Sequence, residues 1–259
     1  MDNRAIVKVA TLPLYWHELS YLSEDEKAAL GLVSLAANEV NVLTRLNLLQ
    51  LREVVDDTIV DQGYWIQRSV ILRIWSAKLY EFKIFIDNLC SGKTKCASKA
   101  VIDLAAKAQK AFTGAEKHSG YEIARESRNE ITNHYELNPL RKNIKHLDPK
   151  SDVSICLHDI RCNSFSRLGE AVGLVGLLLR KTSSTNDVAE KAAAFESWLD
   201  WNLLASDWID GVELDFYEEF VFKHFPDRSA IEKAYYVDPR LVGEPTKDLI
   251  PMFLRGQDK

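Results

Sequence analysis

Apolar positions recur at helical spacing along most of this chain. Ser23 and Glu26 stand three apart at the head of a long run. That is the pattern of a capping box, in which the serine accepts from the backbone and the glutamate reaches back to it. Behind them come Leu32, Leu35, Ala36, Val42, Leu43, Leu46 and Leu49, which predict a helix running on to about Val55. Asp61-Gln62-Gly63 reads as a break. A second long helix is expected over about 64–90, carrying Trp65, Val70, Ile74, Trp75, Leu79, Phe82 and Ile86, and Ser91-Gly92-Lys93 ends it. A third, 97–112, is rich in alanine and lysine.

Ser119 and Glu122 form another capping-box pattern and open a helix over 120–137. Asn138-Pro139 should stop it, because the residue before proline disfavours the helical region. Residues 138–163 read as a loop excursion with one β-like stretch, Val153 to Leu157. A helix resumes over 164–181, where Gly169, Gly173 and Gly176 suggest close helix packing. Ser183 to Asp187 is a turn. The last long helix, about 187–224, shows Phe195, Trp198, Trp201, Asn202, Ala205, Trp208, Ile209, Val212, Phe216 and Phe220, a core stripe at helical spacing. From about 226 the chain is proline-bearing and expected to lie extended over the bundle. The expected fold is therefore all-α: a single domain over 1–259, a helical bundle of about five to six helices with an extended C-terminal tail.

Composition supports this. Only 11 glycines and 7 prolines occur, too few turn formers for a β-sandwich or barrel. With 46% hydrophobic and 27% charged residues, wholesale disorder is excluded. The net charge of -5 argues against a generally basic nucleic-acid coat, yet it is unevenly spread. Residues 1–90 carry −3, 91–181 carry +6 and 182–259 carry −8, so a polyanion would dock on the middle third. The start lacks the basic and apolar regions of a secretory signal, and the longest apolar run, Ala171 to Leu179, is far short of a membrane span. A cytoplasmic location, with no membrane association, is the expectation. Cys90, Cys96, Cys156 and Cys162 form neither a disulfide scaffold nor close zinc-binding pairs, so no metal or cofactor is expected.

Helix 120–137 differs from the rest. No face of it carries a wide apolar stripe. Tyr121, Arg125, Arg128, Thr132 and Tyr135 share one face; Ser127, Glu130, His134 and Leu137 lie on another. A helix of this composition is either surface or lines something polar. Arginine, asparagine and histidine are the side chains that bind phosphate and move protons, and here they are concentrated.

The run Arg128-Asn129-Glu130-Ile131-Thr132-Asn133-His134 resembles the signature of the HEPN superfamily (higher eukaryotes and prokaryotes nucleotide-binding). That signature is an arginine, a polar residue directly after it and a histidine four to six residues on, carried on a helix of an all-α bundle. The resemblance covers the motif and its helical setting. It implies a metal-independent endoribonuclease, often a toxin or defence effector with an antitoxin or regulatory partner, that works as a homodimer on RNA. Some members carry a tyrosine two residues after the histidine; here Glu136 holds that position and Tyr135 adjoins the histidine. A second arginine–histidine pairing, Arg141 to His146, follows Pro139 in the expected loop and has Lys142 directly after the arginine, so the Arg128 pairing is preferred.

The residue types suit the chemistry. RNA carries its own nucleophile, the 2′-hydroxyl. His134 has the side chain whose proton exchange falls nearest neutrality. Arg128 offers a planar, permanently charged fork for phosphate oxygens. Asn129 could orient either, and Glu130, four residues before His134, could polarise it. Arg125, Asn133 and Tyr135 stand as supporting residues. On a regular helix Arg128 and His134 are about 120° apart and about 9 Å along the axis. Two antiparallel copies at a two-fold axis could combine them, which points to a homodimer through helix 120–137. Two other readings stay open. One is a non-catalytic helical module of the same fold that binds nucleotide, RNA or protein. The other is an unrelated bundle whose acidic last third meets a partner.

Overall fold

A computed structural model describes residues 5–50, 58–132, 137–157, 163–182 and 188–237. Ser23 caps the first long helix as the sequence implies. Its hydroxyl accepts from the Glu26 amide, and the Glu26 carboxylate accepts from the Ser23 amide at 2.8 Å. The helix, α1, runs Glu24–Leu48; the further turns expected towards Val55 lie outside the described residues. The second, α2, spans Thr58–Cys90 and passes straight through the expected break at Gly63. One mid-helix glycine costs only about 1 kcal/mol. Burial of the neighbouring Tyr64, and of Leu72, Trp75, Leu79, Phe82 and Ile86 further on, outweighs it.

Then come α3 (Lys99–Ala111), capped by the Ser98 hydroxyl, and a single turn, α4 (Thr113–Glu116). Next is α5 (Gly120–Ser127), continued by a π-helical turn over Arg128–Thr132. Pro139 does not stop a helix here. It sits in the first turn of α6 (Leu137–Ile144), where a missing N–H is no loss because first-turn amides have no partner within the helix. The excursion is thus helical at its start. Its β-like stretch contributes β2 (Ile155–Cys156), paired with β3 (Phe165–Ser166).

The glycine-bearing helix is α7 (Arg167–Glu170), a π turn (Ala171–Val175) and α8 (Gly176–Lys181) in succession. Gly176 is a true close approach: a methyl there would come 2.7 Å from Asn143 Cβ on α6, whereas Gly169 faces open space. The expected turn at 183–187 lies outside the described residues. The last helix, α9 (Val188–Tyr217), also ends in a π turn, Glu218–Phe222.

The core runs between α9, α2, α1, α3 and α5. Every member of the α9 stripe is buried, and each of its indoles finds an acceptor. Trp198 Nε1 donates to Ser76 Oγ, Trp201 Nε1 to the Ala115 carbonyl and Trp208 Nε1 to the Ala108 carbonyl. Asn202 is sealed beside them, bonded to Ser76 Oγ and the Trp198 carbonyl. On α1 the buried stripe is Ala29, Leu30, Val33, Ala37 and Val40; Leu32, Leu35, Val42 and Leu46 face outward.

The ends of the described chain hold an element the sequence does not announce. Residues 231–237 are extended, but they do not lie on the helices. As β4 (Ile231–Val237) they pair antiparallel with β1 (Ala5–Thr11), from Ala5↔Val237 to Thr11↔Ile231, in an exposed two-stranded ribbon. Arg228 pins its root, donating to the Pro13 carbonyl and pairing with Glu18. No helix among the described residues is long and apolar enough to cross a membrane.

Candidate functional site

The polar helix has a buried face after all, built from small residues. Gly120, Ile123, Ala124 and Ser127, at i, i+3, i+4 and i+7, are buried against the bundle. Gly120 lies so close to α9 that a methyl would overlap the Ser197 carbonyl and come 2.8 Å from Trp201 Cβ. The expected capping box at its start does not form. Ser119 has helical backbone angles and bonds its hydroxyl to Ser197 instead, while the Gly120 amide donates to His118 Nδ1. Tyr121 is wedged among Tyr80, Phe112 and Trp201. Burial, then the neighbouring Tyr80, pushes its hydroxyl up to about 12, so it stays protonated at neutral pH.

Arg128 begins the π turn, which closes with Thr132 Oγ1 donating to the Ser127 carbonyl five residues back. Its guanidinium lies at the surface, 20% exposed, and three groups fix it. Nε and Nη2 donate to Glu81 Oε1, Nη1 donates to Asn129 Oδ1 at 2.8 Å, and the Tyr80 ring lies 5.7 Å away. The Asn129 amide oxygen thus accepts from its sequence neighbour. Glu130 is engaged elsewhere. Arg180, from α8, bridges Glu126 at 2.6 Å and Glu130 at 2.8 Å. Desolvation alone would lower the Arg180 pKa; its hydrogen bonds to Glu130 and Glu126 prevail and hold it above the ordinary value. Arg125 pairs with Glu122 on the outer face.

Asn133, His134 and Tyr135 lie outside the described residues, so the structure places the arginine half of the motif and leaves its histidine half unplaced. The other arginine–histidine pairing is not loop-borne: Arg141 is on α6, bonded to Asn138, and His146 is in the turn after it. Among the described residues no group of three or more His, Cys, Asp or Glu side chains is arranged to hold a metal ion.

The basic excess of the middle third is not a bare cationic cleft. Arg125 is held by Glu122, Arg128 by Glu81, Arg167 by Asp152 and Arg180 by two glutamates. Glu81, Tyr80 and Arg180 are neighbours of the motif that sequence spacing does not reveal. They reach the motif from 47 to 50 residues away, a separation with no local signature.

Beside the motif, a groove of about 510 Å³ runs between α1 and α2, with Thr132 in its wall. The chain matches no protein-family model, no curated protein and no solved structure.

Proposed function

We propose that this chain is a metal-independent endoribonuclease of HEPN type. Arg128 is the phosphate ligand, Asn129 its positioning residue and His134 the proton carrier. The observation that supports this is the Arg128–Asn129 hydrogen bond. It sets the plane of a surface guanidinium on a π turn, a distortion found frequently at functional sites. His134 takes the proton of the 2′-hydroxyl as O2′ bonds to phosphorus. The P–O5′ bond breaks, and a proton returns to O5′. The products are a 2′,3′-cyclic phosphate and a 5′-hydroxyl. Arg128 meets the charge that builds on the phosphate oxygens. Phosphate must first displace Glu81, which holds two of the guanidinium's donors. A toxin or defence role with an antitoxin or regulatory partner follows from the same resemblance.

The ion pair to Glu81 favours a second reading, in which Arg128 serves the fold and the bundle is a non-catalytic module that binds RNA or protein. The two part in one experiment: labelled RNA with purified protein, with and without EDTA. On the first reading cleavage persists in EDTA, and His134→Ala lowers it by about 10²–10⁴-fold while RNA binding survives. Arg128→Ala weakens both, and His146→Ala changes neither. Intact RNA under all conditions leaves the binding module.

The homodimer through helix 120–137 stays part of this reading and rests on the spacing of Arg128 and His134. The small-residue stripe, packed inside its own bundle, accounts for the missing wide apolar face.

A further inference from the structure

α1 is apolar on two sides. A helix that is hydrophobic all round is normally buried all round. Yet Leu35 is 60% exposed, and Leu32, Val42 and Leu46 are exposed with it. With Glu39 they form the sequence 32-35-39-42-46, alternating steps of three and four, which is the seam of a coiled coil. α2 lines the other side of the same groove with Ile74, Ala77, Lys78, Glu81 and Phe85. At mid-length Lys78 Nζ lies 2.7 Å from Glu39 Oε1 and ties the two helices together. That pair sets the antiparallel register. Leu32 lies by Phe85 at one end, and Val42 and Leu46 lie towards Ile74 and Val70 at the other. The face is thus two apolar patches with the Glu39–Lys78 pair between them, and with Glu81, one turn on from Lys78 and engaged by Arg128, in its wall.

We infer that this groove is the interface for a second copy of the chain, with a two-fold axis parallel to α1 and α2. The charges select both the occupant and the axis. Rotation about that axis stacks α1 on the partner's α2. Glu39 then meets the partner's Lys78, and Lys78 meets the partner's Glu39, a closed ring of four alternating charges between two apolar layers. All neighbouring helices in the resulting four-helix arrangement are antiparallel. An axis perpendicular to the helices would set Glu39 against the partner's Glu39, a like-charge contact. The assembly also carries the partner's α1 along the wall that contains Thr132, beside Arg128. The inference stands on this face alone and does not rest on ribonuclease activity.

The test reads molar mass by light scattering at micromolar concentration. Wild type is expected to be a dimer. Leu35→Glu, on an exposed position, is expected to be a monomer with unchanged far-ultraviolet circular dichroism. Glu39→Lys makes the ring all positive and Lys78→Glu makes it all negative. Each alone is expected to associate about a hundredfold more weakly or worse. Mixed one to one, they restore the alternation and are expected to give a heterodimer. A monomeric wild type, a dimer that survives Leu35→Glu, or a mixture that stays monomeric would each overturn the inference.

Discussion

α9 and the segment Gly120–Thr132 are the two most lopsided stretches of the chain, one rich in aromatic residues and the other in charge, and the bundle packs both against α2. They solve the same difficulty in opposite ways. α9 takes its polar groups inside and satisfies them with neutral partners: Asn202, Ser206 and the indoles are bonded to Ser76, Trp75 and backbone carbonyls. The motif segment buries small side chains with Ile123 among them and holds its charged ones at the rim, where Glu81 and Arg180 neutralise them. A buried neutral network resists rearrangement because a broken bond leaves an unsatisfied group. A rim ion pair can exchange one anion for another at small cost. Of the two, only the motif segment is built to trade partners.

That contrast can be broken first at Trp198. Truncation to alanine should cost about 4 kcal/mol in urea denaturation, from the lost burial and the cavity left behind. Trp198→Phe, which keeps the ring but removes the donor to Ser76, should cost about 1–2 kcal/mol. A loss at Trp198→Ala no larger than at an exposed site would show that α9 is not the keystone. Next is Gly120→Ala, which drives a methyl into the Ser197 carbonyl and should destabilise by about 2–3 kcal/mol. Gly31→Ala, on an open helical face, should instead stabilise by about 0.5–1 kcal/mol. Equal effects at the two glycines would refute the small-residue seam.

A smaller effect is expected at the rim. Arg180→Met leaves Glu130 without its cation and Glu126 with Lys181 alone, and should cost about 1–2 kcal/mol. Glu81→Gln should alter thermal stability by less than about 1 kcal/mol, yet it frees Arg128 and should tighten RNA binding. Weaker binding in a filter assay would mean that Glu81 assists the ligand rather than competing with it. The smallest effect concerns Glu18, whose carboxyl is held down at about 2 by the Arg228 hydrogen bond, against an ordinary 4.5. A depressed acid contributes fully above its unfolded value and loses that contribution as pH falls from 4.5 towards 2. Glu18→Gln should flatten that part of the stability profile, and an unchanged acid limb would show that the clamp is idle.

The two regions were unequally legible. The α9 stripe could be read residue by residue because tryptophan and phenylalanine at helical spacing have one economical home. The α5 stripe could not, since glycine, alanine and serine are as much at home on a surface as in a tight seam. α1 was legible as a helix but not in orientation. Its two apolar faces are alike in sequence, and only the position of α2 and α9 decides that Leu30, Val33 and Val40 turn inward. Asp61-Gln62-Gly63 misled because local propensity is weaker than the packing of Tyr64. At the site, Arg128 and Asn129 were found together as neighbours in sequence. Glu81 was hidden, because nothing on α2 announces which turn will lie beneath the motif.

The ribbon has a consequence for synthesis. Some 220 residues separate Thr11 from its partner Ile231, so β1 leaves the ribosome long before β4 exists. At roughly 5–20 residues per second the delay is about 10–45 s. Throughout it, a strand carrying Ile6, Val7 and Val9 has an open edge on both sides while the helices behind it are already able to pack. The last strand to be made is thus a latch, and a nascent chain stalled before Ile231 should be the form most prone to capture by chaperones.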